Sequence, residues 1–132
     1  MTTSTHPNVA TIDRMTAAIV AGDRDTLATL FTDDFVLHVR GPLPSQGDHP
    51  GVDGLLRAIG LLFELTEGQV ELDQLSCLAD DRYGAEWEHA VFSRDGRSVE
   101  VDNAFIYRFD QGRIAQMWMI CAGTPELASF WS

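Results

Sequence analysis

The sequence predicts an α+β fold, in which three N-terminal helices cover one face of an antiparallel sheet. Apolar residues recur at helical intervals in three segments before residue 66, whereas the later chain forms alternating segments joined by short turns. Two of these turns carry Asp95-Gly96 and Gln111-Gly112. Asp-Gly is favoured in two-residue hairpin turns because both central residues adopt a positive φ. The predicted order is therefore helix, helix, strand, helix and a meander of four strands.

Each of the three predicted helices has one apolar side. Their apolar residues are Val9, Ile12, Met15 and Ile19 in the first, Leu27, Leu30 and Phe31 in the second, and Leu55, Leu56, Ile59, Leu62 and Phe63 in the third. Gly22 is expected to end the first helix, and Asp53 is expected to cap the third. A strand at residues 35–40 and a segment rich in Pro and Gly at residues 41–51 separate the second helix from the third. The segment 41–51 is expected to be a surface loop or the rim of a pocket.

The two short turns also predict which side chains share a face of the sheet, because turn length fixes the register of the strands. The meander is predicted at residues 69–79, 85–94, 97–110 and 113–121. Arg94 should pair with Arg97, and Asp110 with Arg113. The first predicted face then consists of Glu86, Glu88, Ala90, Val101, Asn103, Phe105, Tyr107, Gln116, Trp118 and Ile120. The second consists of Trp87, His89, Val91, Asp102, Ala104, Ile106, Met117, Met119 and Cys121.

Length and composition exclude several classes of function. The 132 residues are expected to form one domain, residues 1–132, with a single core. A formal net charge of −11 argues against binding nucleic acid or an anionic membrane surface. Cys77 and Cys121 lack the spacing of a metal or redox motif, so two buried free thiols and no metal site are expected. No apolar run is long enough to span a bilayer and no secretory signal is evident, so a soluble cytoplasmic protein is expected.

Two local sequences carry a resemblance to a known superfamily. These are FTDDFV at residues 31–36, after the second helix, and DQGRI at residues 110–114, before the last strand. With the order of elements, they resemble the nuclear transport factor 2-like superfamily over about residues 8–120. The closest branches are the SnoaL-like, limonene-epoxide-hydrolase-like and ketosteroid-isomerase-like ones. The resemblance implies a sheet curled into a cone around a pocket that the helices close, and a homodimer formed through the outer face of the sheet.

The superfamily includes isomerases, polyketide cyclases, epoxide hydrolases, dehydratases and non-catalytic domains, so the resemblance implies fold more strongly than activity. In the epoxide hydrolases, a Tyr and an Asn that hold the attacking water match His38 and Arg40. An Arg and an Asp on the next strand match Glu86 and Glu88, and a second Asp matches Ile120. The chain therefore keeps one acid where that family has one and lacks the second carboxylate.

Glu88 is the main candidate for chemistry. A carboxylate in mid-strand on an aromatic face is partly desolvated, which raises its pKa and suits a proton carrier, and Glu86 adds like charge. Asn103 could orient Glu88, donate to a developing oxyanion, or be a satisfied core amide. His38 could share a proton and Arg40 could neutralise the acids or meet an anionic group. We predict an isomerase, cyclase or hydratase that uses no cofactor and acts on a small apolar organic ligand.

The predicted pocket walls are Met15, Phe105, Tyr107, Trp118 and Ile120, which could equally be core residues. His89 lies opposite Asp102 on the second face, and a His–Asp pair is the acid–base equipment associated with SnoaL-type polyketide cyclases. The register places this pair outside the cone, although one β-bulge would exchange the faces beyond it. The alternative function is a non-catalytic domain that binds a ligand or dimerises.

Overall fold

The computed structural model describes residues 2–3 and 5–131. In chain order, the described elements are β1 (Thr2–Thr3), α1 (Pro7–Ala21), α2 (Arg24–Leu30), β2 (Phe31–Arg40), β3 (Gly47–Pro50), α3 (Gly51–Leu65), β4 (Val70–Ala79), β5 (Tyr83–Arg94), β6 (Arg97–Asp110), β7 (Arg113–Cys121) and α4 (Pro125–Phe130). The predicted α+β class and the predicted order of the three helices and of the four-stranded meander are confirmed. The structure adds the short strands β1 and β3 and the terminal helix α4.

The helix boundaries follow from local chemistry at each end. His6 precedes α1 and its Nδ1 accepts a hydrogen bond from a backbone amide of the first turn. Gly22 ends α1 with a φ of 67°, in the left-handed region, as predicted. Asp23 caps α2. Asp53 does not cap α3, because the helix begins two residues earlier; it lies in the first turn and forms an ion pair with Arg24.

The described strands form one sheet in the order β1-β4-β5-β6-β7-β2-β3. Strands β4 to β7 are an antiparallel meander, but β2 is parallel to β7, so the prediction of a wholly antiparallel sheet is wrong at this position. No hairpin connects β2 with β7. Their relative direction is set by the path that the intervening chain takes, which short turns do not specify.

The register of β5 on β6 is confirmed. Arg94 pairs with Arg97, and the turn residues Asp95 and Gly96 both have a positive φ, of 52° and 74°. Glu88 is therefore opposite Asn103, as predicted.

The predicted register of β6 on β7 is confirmed at the turn and wrong beyond it. Asp110 pairs with Arg113, but a β-bulge leaves Ala115 as an extra residue, and Tyr107 pairs with Met117 instead of the predicted Gln116. One extra residue moves every later side chain of the strand to the opposite face. The faces of β7 are therefore exchanged relative to the prediction.

The helices cover one side of the sheet, which we call the inner face. From β5, β6 and β7 it contains Glu86, Glu88, Ala90, Phe92, Val101, Asn103, Phe105, Tyr107, Phe109, Met117, Met119 and Cys121. The core lies between this face and the helices, with Ile12 of α1, Leu27 of α2 and Leu55 of α3 fully buried. None of the described helices is long and apolar enough to cross a membrane.

The opposite side, the outer face, exposes several large apolar side chains. These are Leu78, Trp87, Ile106 and Ile120, which are 39–48% exposed. His89 and Asp102 lie on the same face. The two faces therefore differ in enclosure, and this difference governs the chemistry of the residues they carry.

Candidate functional site

A cavity of about 120 Å³ lies between the inner face and helices α1 and α3. Its polar lining consists of Thr16, Glu86, Glu88, Asn103 and Tyr107, and the rest is apolar. The exposed side chains of Val20, Phe63 and Leu72 contribute to the lining and form an apolar rim. A larger and shallower depression of about 600 Å³ lies between α4 and the start of β6. It is open to solvent and contains none of the predicted site residues, so the inner cavity is the stronger candidate site.

The Glu86 carboxylate in the cavity lining accepts hydrogen bonds from two donors. Its Oε1 accepts a hydrogen bond of 2.8 Å from the Tyr107 hydroxyl, and its Oε2 accepts one of 2.5 Å from Gln74 Nε2. Since both oxygens accept, the contacts suit the carboxylate form. Burial first, and then the charge of Glu86, raise the pKa of Tyr107 well above its ordinary value. The phenol therefore keeps its proton and remains a donor to Glu86.

Glu88 has a pKa at which it can both gain and lose a proton near neutral pH. Burial raises the pKa of its carboxyl to about 7; the hydrogen bond from Asn103 lowers this pKa, and the charge of Glu86 raises it. At neutral pH both protonation states of Glu88 are populated, and a group in this range is an effective proton acceptor and donor. The direction agrees with the prediction from the sequence, and its first cause is desolvation.

Asn103 lies directly across from Glu88 and is 1% exposed. Its Nδ2 is 3.4 Å from Glu88 Oε1, a long hydrogen bond. Its Oδ1 has no hydrogen-bond partner among the described residues. The amide therefore contacts Glu88 with one end and leaves an acceptor free at the wall of the cavity.

Gln74 is a site residue that the sequence reasoning missed. It pairs with Glu88 across β4 and β5, and its side chain reaches Glu86. The alternation of β4 carries a signal, because Val70, Leu72 and Gln74 occupy every second position and therefore one side of a strand. A bulge after Gln74 shifts the register of the remaining strand.

His38 and Arg40 do not join the cavity. The alternation of β2 buries Leu37 and Val39, so His38 and Arg40 point to the other side of the sheet. There Asp48 Oδ1 lies 2.8 Å from His38 Nδ1 and 2.9 Å from Arg40 Nη2. The prediction that these two side chains assist Glu88 is therefore wrong in its geometry.

Trp118 and Ile120 also lie on the outer face, contrary to the prediction. The bulge at Ala115 turns them outward and brings Met117 and Met119 to the cavity in their place. The ring of Trp118 stacks on that of His38 at 5.3 Å between centroids, and Ile120 is 40% exposed. Met15, Phe105 and Tyr107 line the cavity where the sequence placed them.

The segment 41–51 does not form the pocket rim, since none of its described residues lines the cavity. Part of it forms β3, which pairs with β2 at the edge of the sheet. Of the two predicted alternatives, a surface loop or the rim of a pocket, the structure agrees with the first for residues 41–46.

His89 and Asp102 form the predicted cross-strand pair, and the pair lies outside the cavity as the register required. His89 Nδ1 is 2.9 Å from Asp102 Oδ1, and Glu100 lies 3.9 Å from the other ring nitrogen. The hydrogen bond with Asp102 is the main cause that raises the pKa of His89 above its usual range. Both side chains are more than one third exposed.

The two cysteines are buried free thiols, as predicted. Burial raises the pKa of Cys77 to about 12 and that of Cys121 to about 11, so both remain protonated. The described residues contain no group of three or more His, Cys, Asp or Glu side chains placed to hold a metal ion.

Comparison with known structures supports the same fold. Bal32a from a soil-derived mobile gene cassette is 25% identical, with a TM-score of 0.80 over 96% of this chain and 97% of its own. A proposed SnoaL-like polyketide cyclase from Jannaschia sp. CCS1 is 16% identical, with a TM-score of 0.72 over 88% of this chain and 85% of its own. An NTF2-like protein from Burkholderia xenovorans LB400 is 17% identical, with a TM-score of 0.73 over 96% of both chains.

No curated protein sequence matches this chain significantly. The model of the SnoaL-like domain matches residues 12–117, which contain α1 to β6 and the start of β7, and therefore most of the cavity lining. The chain belongs to the SnoaL-like family, whose solved relatives share the NTF2-like fold.

Proposed function

We propose that the protein catalyses an acid–base reaction without a cofactor, an isomerisation, cyclisation or hydration, on a small and largely apolar organic molecule in the inner cavity. Glu88 is the proton carrier. The observation that carries the proposal is a carboxyl group with a pKa of about 7 in the wall of an apolar cavity. A carboxyl group in such surroundings can accept a proton from the ligand and return it within one reaction cycle.

Glu86, Tyr107 and Gln74 support this role without exchanging protons themselves. Two donors hold the Glu86 carboxylate in place, and its charge opposes ionisation of Glu88. Asn103 contacts Glu88 from the facing strand and could orient it. Glu88 would therefore act as the base in its ionised form and as the acid once it holds the proton.

The family supports an activity of this class at a coarse level. The Jannaschia relative is described as a proposed SnoaL-like polyketide cyclase, and cyclisation of a polyketide is one of the reactions that a single proton carrier could assist. At 16% identity this likeness shows the fold, so the reaction itself is proposed from the cavity of this chain.

The test is exchange of the α-protons of cyclohexanone in D₂O, followed by NMR, since this reaction reports proton abstraction by the protein. We expect the wild type to accelerate exchange over buffer, with a rate that rises with pH around 7 as Glu88 ionises. Glu88→Gln should remove at least about 99% of the acceleration. Asp102→Asn, one strand away on the outer face, is the matched control and should change the rate less than twofold. Equal rates for Glu88→Gln and wild type would contradict the proposal.

The second candidate function is a non-catalytic domain that binds a ligand. It is favoured by the strongly apolar lining and by the occupied oxygens of Glu86. This candidate predicts that cyclohexanone shifts the resonances of cavity residues while the wild type gives no exchange above buffer.

We propose, in addition, that the protein forms a homodimer through the outer face of the sheet. The apolar side chains of Leu78, Trp87, Ile106 and Ile120 are 39–48% exposed there on four adjacent strands, and an exposed apolar patch on one face is typical of an interaction surface. Sedimentation velocity at micromolar concentration should give a dimer, and Trp87→Glu should give a monomer. A monomeric wild type would contradict this association.

A further inference from the structure

The amide of Asn103 has an incomplete set of hydrogen bonds. Its Oδ1 has no partner among the described residues although the side chain is 1% exposed, and its Nδ2 makes only the long contact with Glu88. A buried carbonyl oxygen without a donor is unfavourable. The folded chain therefore holds an unused hydrogen-bond acceptor at the wall of the cavity.

The other polar side chains of the lining are already engaged. Both oxygens of Glu86 accept hydrogen bonds, one of them from the Tyr107 hydroxyl, and the Thr16 hydroxyl donates to a carbonyl of its own helix. Among the described lining residues, Asn103 carries the buried side-chain atom that has no partner at all. A ligand in this cavity meets this amide and the Glu88 carboxyl within a largely apolar surface.

The protonation state of Glu88 determines whether the Asn103 amide has an unpaired acceptor or an unpaired donor. While Glu88 is a carboxylate, Asn103 Nδ2 faces it and the buried Oδ1 lacks a donor. Once Glu88 holds a proton, its O–H is a donor. A 180° rotation of the Asn103 amide brings Oδ1 to accept from this O–H. Nδ2 then faces away from Glu88 and lacks an acceptor. A hydroxyl group satisfies both states because it donates and accepts. An ether or a ketone only accepts.

The size of the cavity limits the apolar part of such a ligand. A dry cavity of about 150 Å³ accommodates benzene. The cavity of about 120 Å³ here is open at the rim of Val20, Phe63 and Leu72, so it admits a body of about one ring. The Glu86 carboxylate nearby disfavours an anionic ligand.

Resting on the acid–base function proposed above, we infer that the ligand is a compact, neutral, apolar molecule with one hydroxyl group, and that this hydroxyl binds the side-chain amide of Asn103. The inference names the chemical class of the ligand and the residue that selects it. Asn103 acts here as a binding residue, in contrast to the satisfied core amide that the sequence also allowed.

The test compares phenol with toluene, which have nearly the same shape and differ by the hydroxyl. Dissociation constants are measured by NMR titration, with cavity resonances such as the methyl groups of Met117 and Met119 as reporters. Asn103→Leu keeps the number and branching of the side-chain heavy atoms and removes the amide. It should reduce the preference for phenol over toluene by about tenfold, the effect of one hydrogen bond. Asp102→Asn, at the neighbouring position of the same strand, should leave the preference unchanged.

Two outcomes would overturn the inference. In the first, Asn103→Leu and the smaller variant Asn103→Ala both bind phenol over toluene with a preference within twofold of that of the wild type. In the other, phenol shifts no cavity resonance at millimolar concentration. The second variant keeps the test valid if Asn103→Leu does not fold.

Failure of the inference can be distinguished from failure of the proposed function. Glu88→Gln should abolish proton exchange while it preserves the preference for phenol, because the amide of Asn103 remains. If Asn103→Leu leaves the preference intact but Glu88→Gln abolishes exchange, the ligand class is wrong and the role of Glu88 stands. If Glu88→Gln retains exchange while Asn103→Leu removes the preference, the hydroxyl site stands and the catalytic role is wrong.

Discussion

Strands β5 and β6 carry two cross-strand pairs of polar residues at neighbouring positions, one on each face of the sheet. Glu88 and Asn103 face the cavity, whereas His89 and Asp102 are more than one third exposed on the outer face. By residue type alone, the His–Asp pair is the more familiar equipment for proton transfer. The two pairs differ in enclosure, because the same two strands place Glu88 and Asn103 in the wall of the cavity and leave His89 and Asp102 in contact with solvent.

The causes of the two pKa shifts also differ. Desolvation is the main cause that raises the pKa of Glu88 to about 7. For His89 the main cause is one hydrogen bond with Asp102, and burial opposes it. A shift due to desolvation depends on the whole lining of the cavity, whereas a shift due to one exposed partner depends on that partner and is weakened by salt.

The largest effect should come from exchanging the faces of β7. Deletion of Ala115 removes the bulge, so residues beyond it would turn Trp118 and Ile120 inward and Met117 and Met119 outward. We expect loss of cooperative thermal unfolding, measured by circular dichroism and tryptophan fluorescence.

Ala115→Gly is the matched control, because it keeps the residue count and therefore the bulge. It should retain a cooperative transition with a small decrease in Tm. A deletion variant as stable as the wild type would show that the bulge does not determine which side chains β7 buries.

The next effect concerns the buried carboxyl. The pKa of Glu88 is raised from its ordinary value of 4.5 to about 7, so the folded chain holds a proton that the unfolded chain releases between these values. The contribution of Glu88 to the free energy of unfolding therefore falls as the pH rises from about 4.5 to 7, by up to about 3 kcal/mol. Glu88→Gln should remove this cost and stabilise the protein, with a gain near zero at pH 4.5 and a plateau above pH 7.

Urea unfolding at several pH values measures this gain as a difference between variant and wild type. Glu71→Gln, which replaces an exposed glutamate of the neighbouring strand β4, is the control and should lack an upward trend of this kind. A Glu88→Gln variant whose relative stability does not change with pH would indicate a solvated carboxyl group.

A smaller effect should follow from removing a donor to Glu86. Tyr107→Phe leaves Glu86 Oε1 buried without its 2.8 Å hydrogen bond, which should lower the free energy of unfolding by about 2 kcal/mol. Tyr83→Phe, at a tyrosine that is 51% exposed, should have little effect. Equal destabilisation of the two variants, measured by urea unfolding, would argue against a specific contribution of this contact.

The smallest effect should be the pKa change of His89 when its partner Asp102 is replaced. NMR titration should give His89 a pKa above 6.5, and Asp102→Asn should return it towards that value. Because the folded pKa is raised, the stabilisation from this pair is present below about 6.5 and is lost as the pH rises through the folded pKa. Salt at 1 M should weaken the shift. If Asp102→Asn leaves the pKa of His89 unchanged, the hydrogen bond with Asp102 is not the cause of the shift.

Much of the site could be predicted from short turns. The turn at Asp95 and Gly96 permits one close register of β5 on β6, and this register places Glu88 opposite Asn103 and on the same side as Glu86. Helical periodicity likewise placed Met15 on the side of α1 that faces the sheet.

The parts that could not be predicted depend on contacts between distant segments. His38 lies on the outer side because Leu37 and Val39 of β2 pack into the core, and Gln74 reaches Glu86 before a bulge in β4. Neither arrangement has a local signal as strong as a two-residue turn.

The sequence by itself determined the α+β order, the pairing of β5 with β6, and the presence of Glu88 on a largely apolar face. Only the tertiary structure decided which side chains of β7 meet Glu88, because the bulge at Ala115 exchanges the faces of β7 and no turn residue marks its position. A tight turn is stabilised by its own residues, whereas a bulge is stabilised by the packing around it.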